Sequence, residues 1–237
     1  MILAIDTSSR SGSIALVDGG LLKSERTVAH AGPHAGWLLS NIAALLTDSS
    51  VTLDDIDLYA VAIGPGSFTG LRIGITTVKG LAWSHGRPTA GVSTLEALAL
   101  NAPFAGIPVC PVLDARKSEV YSALYTFAGR GAPSVVMEPA AIRPELLLAR
   151  LNELYPEPAP ILFMGAGLGV YGEYIKKNRK GALLAPEPLW FVRASNIAFL
   201  AAGKDVIKET PIELTPYYLR KSEAEIRKRA AMAIKTP

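Results

Sequence analysis

Apolar runs and their spacing divide the chain into elements before any residue is considered for its chemistry. Residues 2–6 (ILAID) form a short apolar run ending in Asp6, a polar stretch follows, and residues 12–18 return, which predicts a β-hairpin. Residues 21–28 predict a third strand. Leu38, Ile42, Leu45 and Leu46 recur at helical spacing and predict a helix from about 35 to 48. Residues 58–63 (LYAVAI) read as a buried strand, followed by a glycine turn and a helix over 69–84. In that helix Leu71, Ile75, Val78 and Ala82 share one side and are expected to face the core. Gly70, Gly74, Thr77, Gly80 and Ser84 line another.

The same order returns in the second half. IPVCPVLDARKSEVYSALYTF predicts a strand ending in Asp114, a short charged turn and a returning strand; residues 143–154 predict a helix; residues 161–175 predict strand, Gly-x-Gly and helix. Asp6 and Asp114 lie 108 residues apart, and the pairs Gly64–Gly66 and Gly165–Gly167 lie 101 apart. Repeated order with two similar offsets predicts an internal duplication. Each half is then a mixed sheet with helices packed on it, an α/β architecture. The layout resembles the actin, Hsp70 and sugar-kinase superfamily (ASKHA, ribonuclease H-like), with lobes expected at 1–104 and 105–237. In such folds the hairpin and glycine turns border a nucleotide cleft. That resemblance would place Asp6, Thr7 and Ser8, with Asp114, Ala115 and Arg116, at the cleft.

Composition narrows the class. With 49% hydrophobic residues in 237, the chain can bury a full core without staples. The single cysteine, Cys110, lies in an apolar run and reads as a small buried hydrophobe, so a reducing, cytoplasmic setting is expected. The start, MILAIDTSS, has no basic leader, and no apolar run approaches the ~18 residues of a membrane span. The net charge of +3 is concentrated at the end. After Leu219 come Arg220, Lys221, Arg227, Lys228, Arg229 and Lys235 against Glu223 and Glu225, which leaves the body near −1. The body therefore has no nucleic-acid footprint, and we read the tail as a solvated helix rather than an RNA contact.

Candidate chemistry is sparse. GPGSFTGLRIG lacks the Walker pattern, and the dinucleotide pattern fits at Gly64 and Gly66 but meets Thr69 where a third glycine is needed. The residues left for a cofactor are Asp6, Gly64, Gly66 and Asp114. Each interior glycine of the 69–84 helix costs ~1 kcal/mol relative to alanine, so a close backbone contact is expected to compensate. The 35–48 helix or another chain would each serve. His30 and His34 have ligand spacing, but Ala-Gly-Pro between them breaks the helix they would need. His85 is expected at a helix C-terminus. Gly91-Val92-Ser93-Thr94-Leu95 lacks the last glycine of a serine elbow. Asp6, Asp114 and Glu119 are the candidate acids, and an aspartate at a hairpin turn is first a backbone cap.

Asp6-Thr7-Ser8, GPGSFTGLRIG at 64–74, GVSTLEALA at 91–99, DARKSEVYSALY at 114–125 and PYYLR at 216–220 together resemble the TsaB (YeaZ) family, over nearly the whole chain. The resemblance implies a subunit of the bacterial machinery that makes N6-threonylcarbamoyladenosine (t6A) at position 37 of tRNA. Older labels for such chains are glycoprotease and peptidase M22 homologue. It implies a catalytic paralogue, TsaD, of the same duplicated fold, and a small ATPase partner, TsaE. TsaD-like chains carry two metal-binding histidines four apart. Aligned on GVSTLEALAL, those positions hold Thr94 and Leu98, which make no transition-metal pair. The implied role is a non-catalytic scaffold that binds its paralogue through the two N-terminal-half helices, a surface that a self-dimer can also use. The expected interface is Leu38, Ile42, Gly70, Ile73, Gly74, Thr77, Gly80 and Ser84. ATP and a metal ion are expected on the partner subunits, none on this chain, and tRNA is met only through the complex. The lead-in HAGPHAGW departs from the more polar family pattern. The alternatives are an ATP-dependent phosphotransferase or ATPase using Asp6 and Asp114, and a peptidase, for which no nucleophile or metal set is found.

Overall fold

The computed structural model describes residues 1–29, 34–129, 131–203 and 207–220. The first strands are β1 (Ile2–Asp6), β2 (Gly12–Asp18) and β3 (Leu21–Val28), then α1 (His34–Asp48), β4 (Leu58–Gly64), α2 (Phe68–Ser84) and β5 (Thr89–Ser93). A short helix, α3 (Thr94–Ala99), leads to the second run: β6 (Val109–Arg116), β7 (Glu119–Thr126), β8 (Ser134–Ile142), α4 (Pro144–Leu154), β9 (Ile161–Met164), α5 (Leu168–Asn178) and β10 (Ala182–Leu184). Among the described residues the last elements are α6 (Ala194–Ala201) and the two-residue β11 (Lys208–Glu209).

The sheets repeat one plan. The first has the order β11-β5-β4-β1-β2-β3 and the second β10-β9-β6-β7-β8. With β11 set aside, the two orders correspond strand for strand. β1 pairs antiparallel with β2 and parallel with β4, as β6 does with β7 and β9. The central strands β1 and β4 are buried on both faces, which is why they read as unbroken apolar runs. β3 and β8 are edges. β3 carries Lys23, Glu25 and Arg26, and β8 carries Pro139, both devices that blunt an open edge.

Packing makes layers. On one face of the first sheet, Leu38, Ile42 and Leu45 of α1 and Leu71, Ile75, Val78 and Ala82 of α2 cover Leu3, Ile5, Ile14, Tyr59 and Val61. The helical periodicity therefore identified the buried stripe of α2. On the other face a core common to both lobes joins Ala60 and Val92 to Leu95, Leu98 and Ile197, and to Val109, Tyr125 and Met164 of the second sheet. α4 and α5 cover the far face of the second sheet through Leu147, Leu151, Leu168 and Ile175.

The lobe boundary needs a correction. The strands split near 104/105, but the end of the chain does not stay with the second lobe. α6 packs on β1 and β2, and β11 pairs with β5. Polar groups of the first sheet hold the start of α6. Glu25 Oε1 accepts from the Ser195 amide (2.9 Å) and hydroxyl (2.7 Å), Glu25 Oε2 pairs with Arg193 (2.6 Å), and Ser13 Oγ accepts from the Ala194 amide (3.0 Å). Those carbonyl-free amides at a helix start need such acceptors, and the first lobe supplies them. Among the described residues no helix is long and apolar enough to cross a membrane.

Candidate functional site

The glycine turn between β4 and α2 is closed by the β1–β2 turn. Gly64 has φ +129°, a conformation that favours glycine, and a side chain there would also strike the Tyr217 carbonyl oxygen. The Ser67 amide donates to Ser8 O (2.7 Å), and Ser67 Oγ caps α2 by accepting from the Gly70 amide (3.2 Å). Thr7 Oγ1 donates to Gly70 O (2.8 Å). Side chains at Gly66, Gly70 and Gly74 would collide with Ser8 O, Thr7 O and Thr7 Oγ1 respectively. The close contact that compensates these glycines is therefore the β1–β2 turn, neither the 35–48 helix nor another chain. Four expected interface residues are corrected by this packing: Gly70 and Gly74 are buried against Thr7, and Leu38 and Ile42 are buried against the sheet.

Of the proposed cleft residues, Asp6, Thr7, Ser8 and Ala115 are buried, Asp114 is half-buried and Arg116 is exposed. Asp6 is 0% exposed, and its Oδ1 accepts from the Ser8 amide (3.0 Å), the backbone cap expected of a turn aspartate. Among the described residues its Oδ2 has no partner, and burial pushes the carboxyl up to about 6 against the opposing effect of Ser8. Asp114 lies half-buried, accepts from the Arg116 amide (2.8 Å) and pairs with the Arg116 guanidinium (3.3 Å). Glu119 pairs with Arg220 (3.5 Å). The second glycine turn is filled in a similar way, since the Gly167 amide donates to Val112 O (3.0 Å) and a side chain at Gly165 would meet Val112 O and Leu98. A phosphate at the first turn would have to take Ser67 N–H from Ser8. Asp6, Gly64 and Gly66 thus fit a sealed turn better than a nucleotide cradle.

The remaining candidates are also engaged. Thr94 and Leu98 are fully buried, and Leu98 packs toward Gly165, so the two positions aligned with the paralogue's metal ligands lie in the core between the lobes. Ser93 Oγ caps α3 by accepting from the Glu96 amide (3.4 Å). Cys110 is buried beside Ser122 Oγ (3.2 Å), and burial pushes its thiol up to about 12, far from a thiolate nucleophile at neutral pH. His85 closes α2, with Nδ1 2.9 Å from Leu81 O, at the expected C-terminal position. His30, like the basic tail from Lys221 onward, lies outside the described residues. Among the described residues, no three of His, Cys, Asp and Glu stand together as a metal site.

What faces outward is the far side of α1 and α2. On α1 it carries Leu39, 59% exposed, and Ala43 one turn on. On α2 it carries half-buried Ile73 and Thr77, then exposed Gly80, Trp83 and Ser84, with Trp83 67% exposed. A Cβ at Gly80 would meet nothing within 4 Å, unlike those at Gly70 and Gly74. Gly80 is thus a helical glycine with no compensating contact among the described residues. Leu39 and Trp83 lie outside the buried stripes that helical periodicity marks. Their signal was phase, since each is a large apolar residue one position past a stripe member.

Comparison with known proteins adds to this geometry. The family model described as TsaD: tRNA N6-adenosine threonylcarbamoyltransferase matches residues 29–228. The chain is 34% identical to the tRNA threonylcarbamoyladenosine biosynthesis protein TsaB of Bacillus subtilis, over 94% of this chain and 96% of that protein. It is 33% identical to the protein of the same name from Escherichia coli, with the same coverage. A crystal structure from Pseudomonas aeruginosa, described as an uncharacterized protein with similarity to peptidase YeaZ, superposes with a TM-score of 0.78 at 31% identity, over 92% of this chain and 99% of that one.

Proposed function

The chain belongs to the TsaB (YeaZ) family, and from that premise we propose that it is the non-catalytic partner of a TsaD-like enzyme in the synthesis of t6A in tRNA. It docks through the outer face of α1 and α2. The observation that carries this reading is the outward stripe at Ile73, Thr77, Gly80 and Ser84, flanked by exposed Leu39 and Trp83. Gly80 lets a partner backbone approach closely, where many small dispersion contacts add up. Trp83 is of the type that anchors an interface, and exposed Leu39 adds apolar area beside it. An ordinary specific contact of roughly 800 Å² per side fits two adjacent helices of this length. A second copy of the chain would compete for the same face. A TsaE-like ATPase joins through the TsaD-like subunit, and tRNA, ATP and the metal ion are held by the partners. The work belongs in the cytoplasm, where tRNA is modified.

The enzyme alternatives are less well supported. An ATPase needs phosphate contacts that Ser8 and Val112 already take, and a peptidase needs a nucleophile more available than Cys110 or Ser93. The test is calorimetric titration of the cognate TsaD-like protein with the wild-type chain and with Gly80→Arg. The wild type is expected to bind, and Gly80→Arg to weaken binding at least a hundredfold with an unchanged circular dichroism spectrum. Equal affinity of the two would remove this face from the proposal.

A further inference from the structure

The segment from Ile207 to Arg220 takes no part in either sheet beyond the two residues of β11, yet it is tied to the body along its length. Thr89 Oγ1 donates to Glu209 O (3.1 Å), and Lys79 Nζ donates to Ile212 O (3.1 Å). Leu214 is buried among the core residues beneath α2. The Tyr217 amide donates to Ile63 O (2.8 Å), beside the Gly64 turn. The Tyr218 ring stacks on Phe68, with centroids 5.1 Å apart, and its hydroxyl accepts from Arg72 Nε (3.2 Å). Arg72 Cζ in turn lies 3.8 Å from the Phe68 ring centroid. Phe68 opens α2 and Arg72 is one turn on, so these contacts all grip the start of that helix. Two residues later the segment reaches the second lobe, where Arg220 Nη1 donates to Ala115 O (3.3 Å) and lies 3.5 Å from Glu119 Oε2.

We infer that Pro216–Arg220 is a clasp: it fastens the first turn of α2 to the β6–β7 hairpin of the second lobe and so presets the angle of the α2 face. Tyr218 and Arg220 are positioning residues for that face. The physical reason is that a helix start is the part most ready to fray, and here it follows a glycine turn with few side chains of its own. Stacking, a cation over a ring and a half-exposed ion pair are each modest. Joined in a series between two lobes, they hold a surface element in one orientation and remain open to release. Arg220 is the informative member because it touches the second lobe alone, remote from Leu39, Gly80 and Trp83.

The test has two arms, and the second rests on the docking reading above. In the free chain, Arg220→Ala is expected to raise amide hydrogen exchange about tenfold across residues 64–72, leaving the central strands β1 and β4 unchanged. Replacing both partners, Arg220→Glu with Glu119→Arg, is expected to restore most of the protection. Unchanged exchange at 64–72 would overturn the clasp, and so would a rise spread evenly over both sheets or a double variant no better protected than Arg220→Ala. In the second arm, Arg220→Ala is expected to weaken binding to the cognate TsaD-like protein about tenfold, with recovery in the double variant. Faster exchange with unaltered affinity would overturn the positioning role. A wild-type chain that does not bind that protein would refute the docking reading, and the exchange arm would still decide the clasp.

Discussion

Single residues set the sharpest constraints on this molecule, and the glycines of α2 divide by what lies over them. Gly74 faces Thr7 Oγ1 and Val61, whereas Gly80 faces open space. Gly74→Leu is therefore expected to lower stability by about 3 kcal/mol through overpacking. Gly80→Ala is expected to raise it by up to ~1 kcal/mol through helix propensity. Denaturant titration of both variants checks this, and a mild effect at Gly74 would contradict the close approach to Thr7. Asp6 makes a second case. Its carboxyl titrates at about 6 in the folded chain against an ordinary value of 3.8. A raised value means that the folded state holds its proton more tightly. The contribution is fully present below about 3.8 and is lost as pH rises through about 6, at a cost on the order of 3 kcal/mol by neutral pH. Asp6→Asn, which keeps the acceptor for the Ser8 amide, is expected to melt higher than wild type at pH 7.5 and to lose the gap near pH 4. A gap independent of pH would show that the buried carboxyl does not titrate as described.

At the scale of elements, what the sequence disclosed followed from phase. The α2 core stripe, the hairpins and the repeated strand-turn-helix units each have one dry side and one wet side, or an unbroken dry run, and periodicity reports that directly. α6 has no such contrast, because Ala194 to Ala198, Leu200 and Ala201 are all buried between sheet and α3. β8 breaks its alternation with Glu138 and Pro139 at an exposed edge. The glycine rows were legible as a cost but not as a contact, since Thr7 lies far from α2 in sequence. Periodicity cannot say which distant backbone fills a gap. The hold on α6 is a similar long-range feature: Glu25, largely buried, serves the Ser195 amide and hydroxyl and Arg193 together. Glu25→Ala is expected to cost about 2 kcal/mol and to speed amide exchange in α6 first, because it leaves the Ser195 amide and hydroxyl at the helix start without their acceptor, while the half-exposed Arg193 stays solvated. Uniform exchange across the chain would contradict a local hold by Glu25.

The whole molecule is a duplicated sheet whose two copies share a core. The resemblance in layout implied a nucleotide cleft in the space between the lobes. Here α3, α6 and the side chains around Leu98 fill much of it, and the glycine turns rest on neighbouring carbonyls. What the described residues offer outward is the helical face of α1 and α2. On the proposed reading, this chain of the TsaB family supports a paralogue through that face. The most direct measurement is t6A formed on unmodified tRNA by the cognate TsaD-like enzyme, with its ATPase partner, substrate and ATP, in the presence and absence of this chain. The account predicts strong dependence on this chain, loss of that dependence with Gly80→Arg, and no product when this chain replaces the TsaD-like enzyme. Full activity without it, or product formed in place of the enzyme, would contradict the account.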